Sequence, residues 1–247
     1  MRGWWQELAG LVLPEDCAGC GAARVVLCPA CARALDAGPA GPVRPSPCPP
    51  GLPPVHAAAV YEGAVRAVVL AHKERGALAL AGPLGGALAG AVRAGGSGGA
   101  AEPERELVLV PVPSARRQVR ARGHDPVRRI ALAAAARLRR AGVPARVAPV
   151  LHQVRPVADQ AGLAARERRA NLDGALGVRR GGRRLAAGAR IVLVDDVATT
   201  GATLAEAARA VRAGGLRPVA GAAVVAAPGR SFVRIRSTTR TEQHSCE

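Results

Sequence analysis

The side chains best suited to chemistry lie in residues 191–204, which read IVLVDDVATTGATL. The apolar start of this segment predicts a buried strand. Asp195 and Asp196 follow it at the carboxyl end, where open α/β sheets bind their ligands. A Thr/Gly loop comes next, and we expect a helix to begin near Thr203. Backbone N–H groups of the loop and first helical turn would point at one spot, where the helix dipole also favours an anion. The segment therefore predicts a phosphate site beside two carboxylates.

Each residue type in this segment has its own expected role. The threonine hydroxyls would donate to a phosphate, and Gly201 would let the backbone approach it closely. Asp195 and Asp196 cannot bind phosphate directly, but they suit vicinal sugar hydroxyls or a magnesium ion. An ordinary capped strand–turn–helix explains this combination poorly. The residues expected to contact a sugar phosphate are Asp195, Asp196, Val197, Ala198, Thr199, Thr200, Gly201, Ala202 and Thr203.

A second group of reactive side chains is a cluster of cysteines near the amino terminus. Two Cys-x2-Cys pairs are separated by seven residues, and they comprise Cys17, Cys20, Cys28 and Cys31. Zinc prefers four thiolates in a tetrahedron, and Gly19 and Gly21 suit the tight turns that such pairs need. A pair of redox-active dithiols is the alternative. Four thiolate ligands leave no open coordination position, so we expect a structural zinc site rather than a catalytic one.

The charge of the chain admits two interpretations. The net charge is +17, and Lys73 is the only lysine. A compositional bias toward Ala, Gly, Pro and Arg would explain this excess. An anionic partner such as nucleic acid would explain it equally well, because arginine binds phosphate through two parallel hydrogen bonds.

Strand and helix signals alternate along most of the chain and predict a doubly wound, mostly parallel α/β fold. Strands are expected at 55–61, 107–112, 147–151, 190–194 and 219–227, and helices at 63–72, 126–140 and 204–212. The expected organisation is a zinc ribbon with a short lead-in at 1–36, a Pro/Gly-rich linker at 37–54, the α/β domain at 55–229 and a disordered tail at 230–247.

The compartment can also be argued from the sequence. Residues 76–92 carry no charge, but their glycines and Pro83 favour a buried helix pair over a membrane span. No convincing secretory signal is visible, so we expect no membrane insertion and a cytoplasmic protein with reduced thiols.

Residues 191–204 resemble the phosphoribosyl pyrophosphate signature of type I phosphoribosyltransferases. With the cysteine pairs, the chain to about residue 228 resembles the ComF family, which is linked to DNA uptake in natural competence. Other matching stretches are 61–66 with 71–76, 109–113 with Arg116, Arg122 and Gly123, and the residues Gln160, Arg169 and Asn171.

The resemblance implies a type I phosphoribosyltransferase fold behind a zinc ribbon. Asp195 and Asp196 would hold the ribose hydroxyls, residues 199–203 would bind the 5-phosphate, and Mg²⁺ would accompany the ligand. The residues implied on the pyrophosphate side are Lys73, Pro113, Ser114 and Arg116. One stretch departs from the family pattern, because His124-Asp125-Pro126 stands where Phe-Asn-Gln is usual. Asp125 can still cap a helix that has Pro126 at its first position.

Two functions remain open from the sequence. The chain is a phosphoribosyltransferase of nucleotide or nucleobase metabolism with an unidentified acceptor, or an accessory protein of DNA uptake. The accessory protein would bind phosphoribosyl pyrophosphate or another ribose 5-phosphate group. Its partners would be single-stranded DNA and a competence helicase. Residues 151–173 are either a lid that closes Arg155, Arg166 and Arg169 over phosphates or a solvated charged helix.

Overall fold

A six-stranded sheet forms the centre of the computed structural model, which describes residues 16–36, 40–96, 105–157 and 171–233. In order across the sheet, the strands are β1 (Gly41–Val43), β2 (Val55–Val60), β8 (Val219–Ala227), β7 (Arg190–Val197), β3 (Leu107–Pro111) and β4 (Ala145–Val147). β1 is antiparallel to β2, and every other pairing in this sheet is parallel. A separate antiparallel pair consists of β5 (Leu151–Gln153) and β6 (Leu176–Val178).

Helices cover both faces of the sheet. They are α1 (Pro29–Asp36), α2 (Gly63–Glu74), α3 (Ala81–Gly96), α4 (Arg116–Arg122), α5 (Pro126–Arg140), α6 (Gly182–Leu185) and α7 (Ala202–Ala213), with 3₁₀ turns at Leu78–Leu80 and Gly229–Ser231. One hydrophobic cluster joins α1, α2, α3 and α5 to the sheet, and a second joins α7 and the β5–β6 pair to its other face. The predicted doubly wound, mostly parallel α/β fold is confirmed.

Small side chains allow these layers to approach closely. Gly85 of α3 faces α5, and a Cβ placed on it would lie 2.4 Å from Ala133 Cβ and 2.9 Å from Ala134 N. The α3 segment with the turn before it, Leu78–Gly96, is long and apolar enough to cross a membrane. Its Leu84, Leu88 and Val92 are instead buried in the core. The burial expected at 76–92 is therefore found, but the segment forms one helix after a 3₁₀ turn rather than the expected helix pair.

Several boundaries differ from the sequence-based expectation. The strand expected at 147–151 is divided into β4 and β5, because Pro149 between them has no N–H to continue a ladder. β7 runs on to Val197, so both aspartates belong to the strand itself.

The Pro/Gly-rich segment and the start of the expected tail also contribute to the fold. The segment expected as a linker supplies β1 and buries Val43 and Leu52. Val233 N donates to Pro42 O at 3.0 Å, which holds the end of the described chain against β1. The expected lead-in, most of the expected tail and the helix expected within 151–173 fall in 1–15, 234–247 and 158–170, outside the described residues.

The α3–α5 contact yields a paired test. Gly85→Ala should lower the free energy of unfolding by about 1–3 kcal/mol, because its methyl group would overlap the α5 backbone. Gly90→Ala in the same helix meets nothing within 4 Å and should raise stability by up to about 1 kcal/mol. Urea denaturation of both variants measures the difference, and equal effects would contradict this packing.

Candidate functional site

The two aspartates lie where β7 reaches the carboxyl edge of the sheet. Asp195 pairs with Val224 and Val197 with Ala226, so the strand is held by β8 up to its last residue. Each aspartate accepts a hydrogen bond from the following residue through Oδ1, with Asp196 N and Val197 N both 2.8 Å away. These bonds fix the two carboxylates and leave the Oδ2 atoms directed elsewhere.

Lys73, from the last turn of α2, lies against this pair. Its Nζ is 2.6 Å from Asp196 Oδ2, and the Asp196 side chain is only 5% exposed. Burial lowers the pKa of Lys73, but the charges of Asp196 and Asp195 outweigh it and raise the pKa above its ordinary value. Burial and the neighbouring charge of Asp196 raise the pKa of Asp195 well above its usual range, which Lys73 offsets in part. The structure therefore places the predicted Lys73 directly in the site.

A tight loop follows the strand and opens α7. Ala198 N bonds to Ala226 O at 3.1 Å, and Gly201 then adopts a left-handed conformation with φ +73° as the N-cap residue. Thr200 Oγ1 accepts from Ala202 N at 3.4 Å. The helix begins at Ala202, one residue before the start expected near Thr203 and two before the helix expected at 204–212. The first N–H groups of any helix lack helical acceptors. The loop thus has the strand–loop–helix form expected of an anion site.

Gly201 is required for a reason that the sequence did not reveal. A Cβ at this position would lie 2.9 Å from Leu52 Cδ2 and 3.2 Å from Pro45 Cγ. The Pro/Gly-rich segment is therefore packed against the loop. A bulky substitution here would disturb the loop itself, in addition to any effect on phosphate approach.

The remaining candidates on the pyrophosphate side follow β3 at the same edge. Val112 N bonds to Val194 O at 2.9 Å, so the loop starts beside β7, and Pro113 and Ser114 are half-buried there. Arg116 is the first residue of α4. Of the arginines expected on a lid, Arg155 donates to Asp173 O at 2.6 Å. Gln160, Arg166 and Arg169 lie outside the described residues.

The stretch that departs from the family pattern has a defined structural role. Asp125 Oδ1 accepts from Arg128 N at 3.1 Å and Pro126 opens α5, so the predicted cap is confirmed. His124 is buried, and its ring nitrogens lie 3.1 Å from Arg122 O and 3.2 Å from His72 O.

His72 extends this buried contact into α2. Its ring nitrogens lie 3.2 Å from Ala77 O and 3.4 Å from Pro126 O, and burial lowers its pKa. The two histidines fix the end of α2, and therefore Lys73, against the turn that follows α4. The sequence did not predict this pair, although His124 in place of the family's usual Phe could have indicated a polar contact at that position.

The four predicted cysteines come together as a second site. Their Sγ atoms all lie within 4.8 Å of one another, and a tetrahedral zinc site with bonds of about 2.3 Å needs separations of about 3.8 Å. Cys28 N donates to Cys17 Sγ at 3.3 Å and lowers the pKa of that thiol to about 6, whereas burial raises the pKa of Cys31. Four sulfur donors at these distances fit a structural zinc ion.

The cysteine module is packed on the α/β domain. A Cβ on Gly19 would lie 2.6 Å from Cys31 Sγ and 3.3 Å from Ala64 Cβ at the start of α2. Leu35 of α1 is buried in the core, with Val26 packed against the same cluster. The module and the aspartate site therefore share α2 as a common support.

The donor set of the first site suits a different ion. Asp195 and Asp196 offer carboxylate oxygens, which magnesium prefers, and Asp196 Oδ2 is buried with no hydrogen-bond partner beyond its ion pair with Lys73. A magnesium ion held there, with a phosphorylated ligand supplying further oxygens, would replace Lys73 as the partner of that atom.

Comparison with known proteins identifies a related family for part of the chain. Residues 157–243 match the phosphoribosyl transferase domain family, and the matched span contains β7, the Thr/Gly loop, α7 and β8. No curated protein matches the chain. The chain thus carries a phosphoribosyltransferase-type α/β domain with a four-cysteine cluster near its amino terminus. The ComF family itself stays a prediction.

The cysteine geometry predicts about one zinc ion per chain. Cys17→Ser combined with Cys28→Ser should abolish zinc binding and lower the melting temperature, because metal binding supplies folding free energy to such modules. Ala30→Ser, at an exposed position within the second pair, adds a hydroxyl without removing a ligand and should retain the metal. Elemental analysis measures the zinc bound to each protein, and zinc retained by the double variant would refute the assignment.

Proposed function

We propose that this chain binds phosphoribosyl pyrophosphate, or a related ribose 5-phosphate group, with magnesium at the carboxyl end of β7. The observation that carries the proposal is the pair Asp195–Asp196 at a strand end, followed by a left-handed Gly201 and a helix start. The carboxylates would accept from the ribose hydroxyls. The loop at 199–203 would bind the 5-phosphate through backbone N–H groups and threonine hydroxyls.

The charges at the site suit a ligand that carries both a phosphate and a pyrophosphate. Lys73 now neutralises Asp196, and a bound magnesium ion would free its ammonium for the pyrophosphate. Magnesium would neutralise charge that develops on departing pyrophosphate. The chain's own part is to position the ribose on Asp195 and Asp196 and to hold the 5-phosphate at the helix start.

Thermal shift tests this proposal. Phosphoribosyl pyrophosphate with Mg²⁺ should raise the melting temperature, because a ligand that binds only the folded state stabilises it by mass action. Asp195→Asn with Asp196→Asn should remove that shift, since amides accept more weakly and bind magnesium poorly. The matched control Asp36→Asn, at the exposed end of α1, should behave as wild type. No shift in wild type at millimolar ligand, or an undiminished shift in the double variant, would contradict the proposal.

Whether the chain transfers the phosphoribosyl group depends on its acceptor. Salvage-type transfer to a nucleobase is the enzymatic alternative, and it would be seen as pyrophosphate release when purine, pyrimidine or pyridine bases are added. Binding of phosphoribosyl pyrophosphate without release of pyrophosphate would favour an accessory protein of DNA uptake or DNA processing in the cytoplasm. That role, and the competence helicase as a partner, rest on the ComF resemblance.

A surface groove supports nucleic acid as a partner of this accessory protein. It encloses about 540 Å³ beside the carboxyl end of α7, and its charged lining consists of Arg179, Arg180, Arg183, Arg184 and Arg209. No described acidic residue lines it, although Glu206 pairs with Arg209 at 2.6 Å. With aromatic residues at only 2% of the chain, a single strand would be held through its phosphates rather than by base stacking.

The groove makes the DNA proposal specific. Affinity for an oligothymidylate should fall steeply with salt, and each lost phosphate contact should reduce the slope of log K against log salt by about 0.7. Replacing Arg180, Arg183 and Arg184 by Gln should therefore flatten the slope by about 2.

The control removes three exposed arginines from α5, namely Arg128, Arg129 and Arg140, and should leave the slope nearly unchanged. Fluorescence anisotropy at several salt concentrations measures both variants. Equal slopes would remove the groove as the contact surface, and no binding at low salt would remove DNA as a direct partner.

A further inference from the structure

A second cavity lies at the amino-terminal edge of the sheet, opposite the aspartate site. It encloses about 340 Å³ between the carboxyl end of α3 and the first residues of β2, β8, β7 and β3. β7 connects the two edges, because Arg190 lines the cavity and Asp196 lies six residues further along the strand. At about 3.3 Å per residue, about 20 Å separates these two positions. The cavity is therefore separate from the proposed phosphoribosyl pyrophosphate site.

One face of the sheet supplies the floor of this cavity. Side chains alternate between the two faces of a strand, so Arg190 and Val192 share one face of β7, and Val192 belongs to the hydrophobic cluster that includes α3. Leu107 lies opposite Arg190 on β3, and Gly221 lies opposite Val192 on β8. The floor is therefore mostly apolar, with a guanidinium group at one end.

Two polar side chains of the lining have no hydrogen-bond or ion-pair partner within the described part of the chain. They are His56 of β2 and Arg190 of β7, both half-buried. Burial lowers the pKa of His56, so its ring is neutral near neutral pH and presents one donor and one acceptor. Arg190 stays charged, and its N–H groups need acceptors. Arg93 and Arg105 also line the cavity, and both make further interactions of their own.

Packing alone does not explain why this space stays open. Gly95 brings the end of α3 against the His56 ring, since a Cβ there would lie 2.9 Å from His56 Nδ1. The adjoining floor is made of small residues, among them Gly221 and Ala223. A Cβ at Gly221 would have only Pro54 O within 4 Å, at 3.4 Å. Protein interiors are normally filled to high density, so the sequence leaves room here that a larger side chain could occupy.

The lining suits an anion that carries an apolar group. Ligand cavities in proteins begin at about 300 Å³ and combine a mostly apolar wall with a few polar groups, as this cavity does. Arginine binds phosphate through two parallel hydrogen bonds, and a dianion suits a lining with three arginines and no described acidic residue. The neutral ring of His56 offers a flat surface on which an apolar group can lie.

We propose that this cavity binds a small phosphate ester with a flat apolar group, held by Arg190 at the phosphate and by His56 at the apolar part. The inference does not rest on the proposed function. Because the two sites lie at opposite ends of β7, both ligands can be bound at once.

Titration calorimetry with 1-naphthyl phosphate, which has a flat apolar group and no ribose, tests the proposal. Wild type should bind it, and Arg190→Gln should bind it about ten- to a hundredfold more weakly, the range for losing a charge-assisted hydrogen bond. Gly221→Val fills the floor but keeps every charge. It should abolish binding without lowering the melting temperature, because Val is favoured in strands. The control Arg217→Gln, at an exposed position just before β8, should bind as wild type.

Two comparisons establish where the probe binds and which of its parts are recognised. Asp195→Asn with Asp196→Asn should retain the affinity for 1-naphthyl phosphate, and a loss in that variant alone would place the probe at the carboxyl end of β7 and overturn the inference. Inorganic phosphate and 1-naphthol should each bind at least about tenfold more weakly than the ester, because each lacks one of the two recognised parts.

No binding of 1-naphthyl phosphate by wild type at millimolar concentration would overturn the inference, as would wild-type affinity in either Arg190→Gln or Gly221→Val. Tighter binding of 1-naphthoate than of the ester would overturn the assignment of a phosphate. Phosphoribosyl pyrophosphate should still raise the melting temperature of both cavity variants. Failure of that shift in wild type would overturn the proposed function and leave the cavity result unaffected.

Discussion

The ion pair between Lys73 and Asp196 is the contact on which the site depends. Two adjacent carboxylates at the end of a central strand repel each other, and burial disfavours their charges. Removing one partner of a buried ion pair usually destabilises a fold, because the other charge is left uncompensated. In this chain the compensating cation is its only lysine, delivered by α2. The position of α2 is therefore as important as the aspartates.

Several unrelated features converge on that helix. The buried pair His72 and His124 fixes its end, and Glu74 ties it to Arg122. Its start lies against the cysteine module, where Gly19 leaves room for Ala64. Disruption of the cysteine module would therefore remove packing from the helix that carries Lys73, although the four cysteines lie outside the proposed ligand site. The module supports the site physically without taking part in its chemistry.

Sequence patterns predicted the main architecture because its signals are local. The apolar runs at β3, β7 and β8, the cap at Asp125 and the Cys-x2-Cys pairs each depend on neighbouring residues, and each is found as expected. The features that sequence reasoning missed depend on residues distant in the chain. β1 forms in a Pro/Gly-rich segment because β2 offers a partner, and Gly201 is needed because Leu52 packs on it.

A crystal structure with phosphoribosyl pyrophosphate and Mg²⁺ tests the central claim most directly. The 5-phosphate should lie within hydrogen-bond distance of the backbone N–H groups at 199–203, and the ribose hydroxyls should contact Asp195 and Asp196. Lys73 Nζ should leave its present position 2.6 Å from Asp196 Oδ2 and turn toward the pyrophosphate. A ligand bound elsewhere, for example in the arginine groove beside α7, with the Lys73–Asp196 pair unchanged, would contradict it.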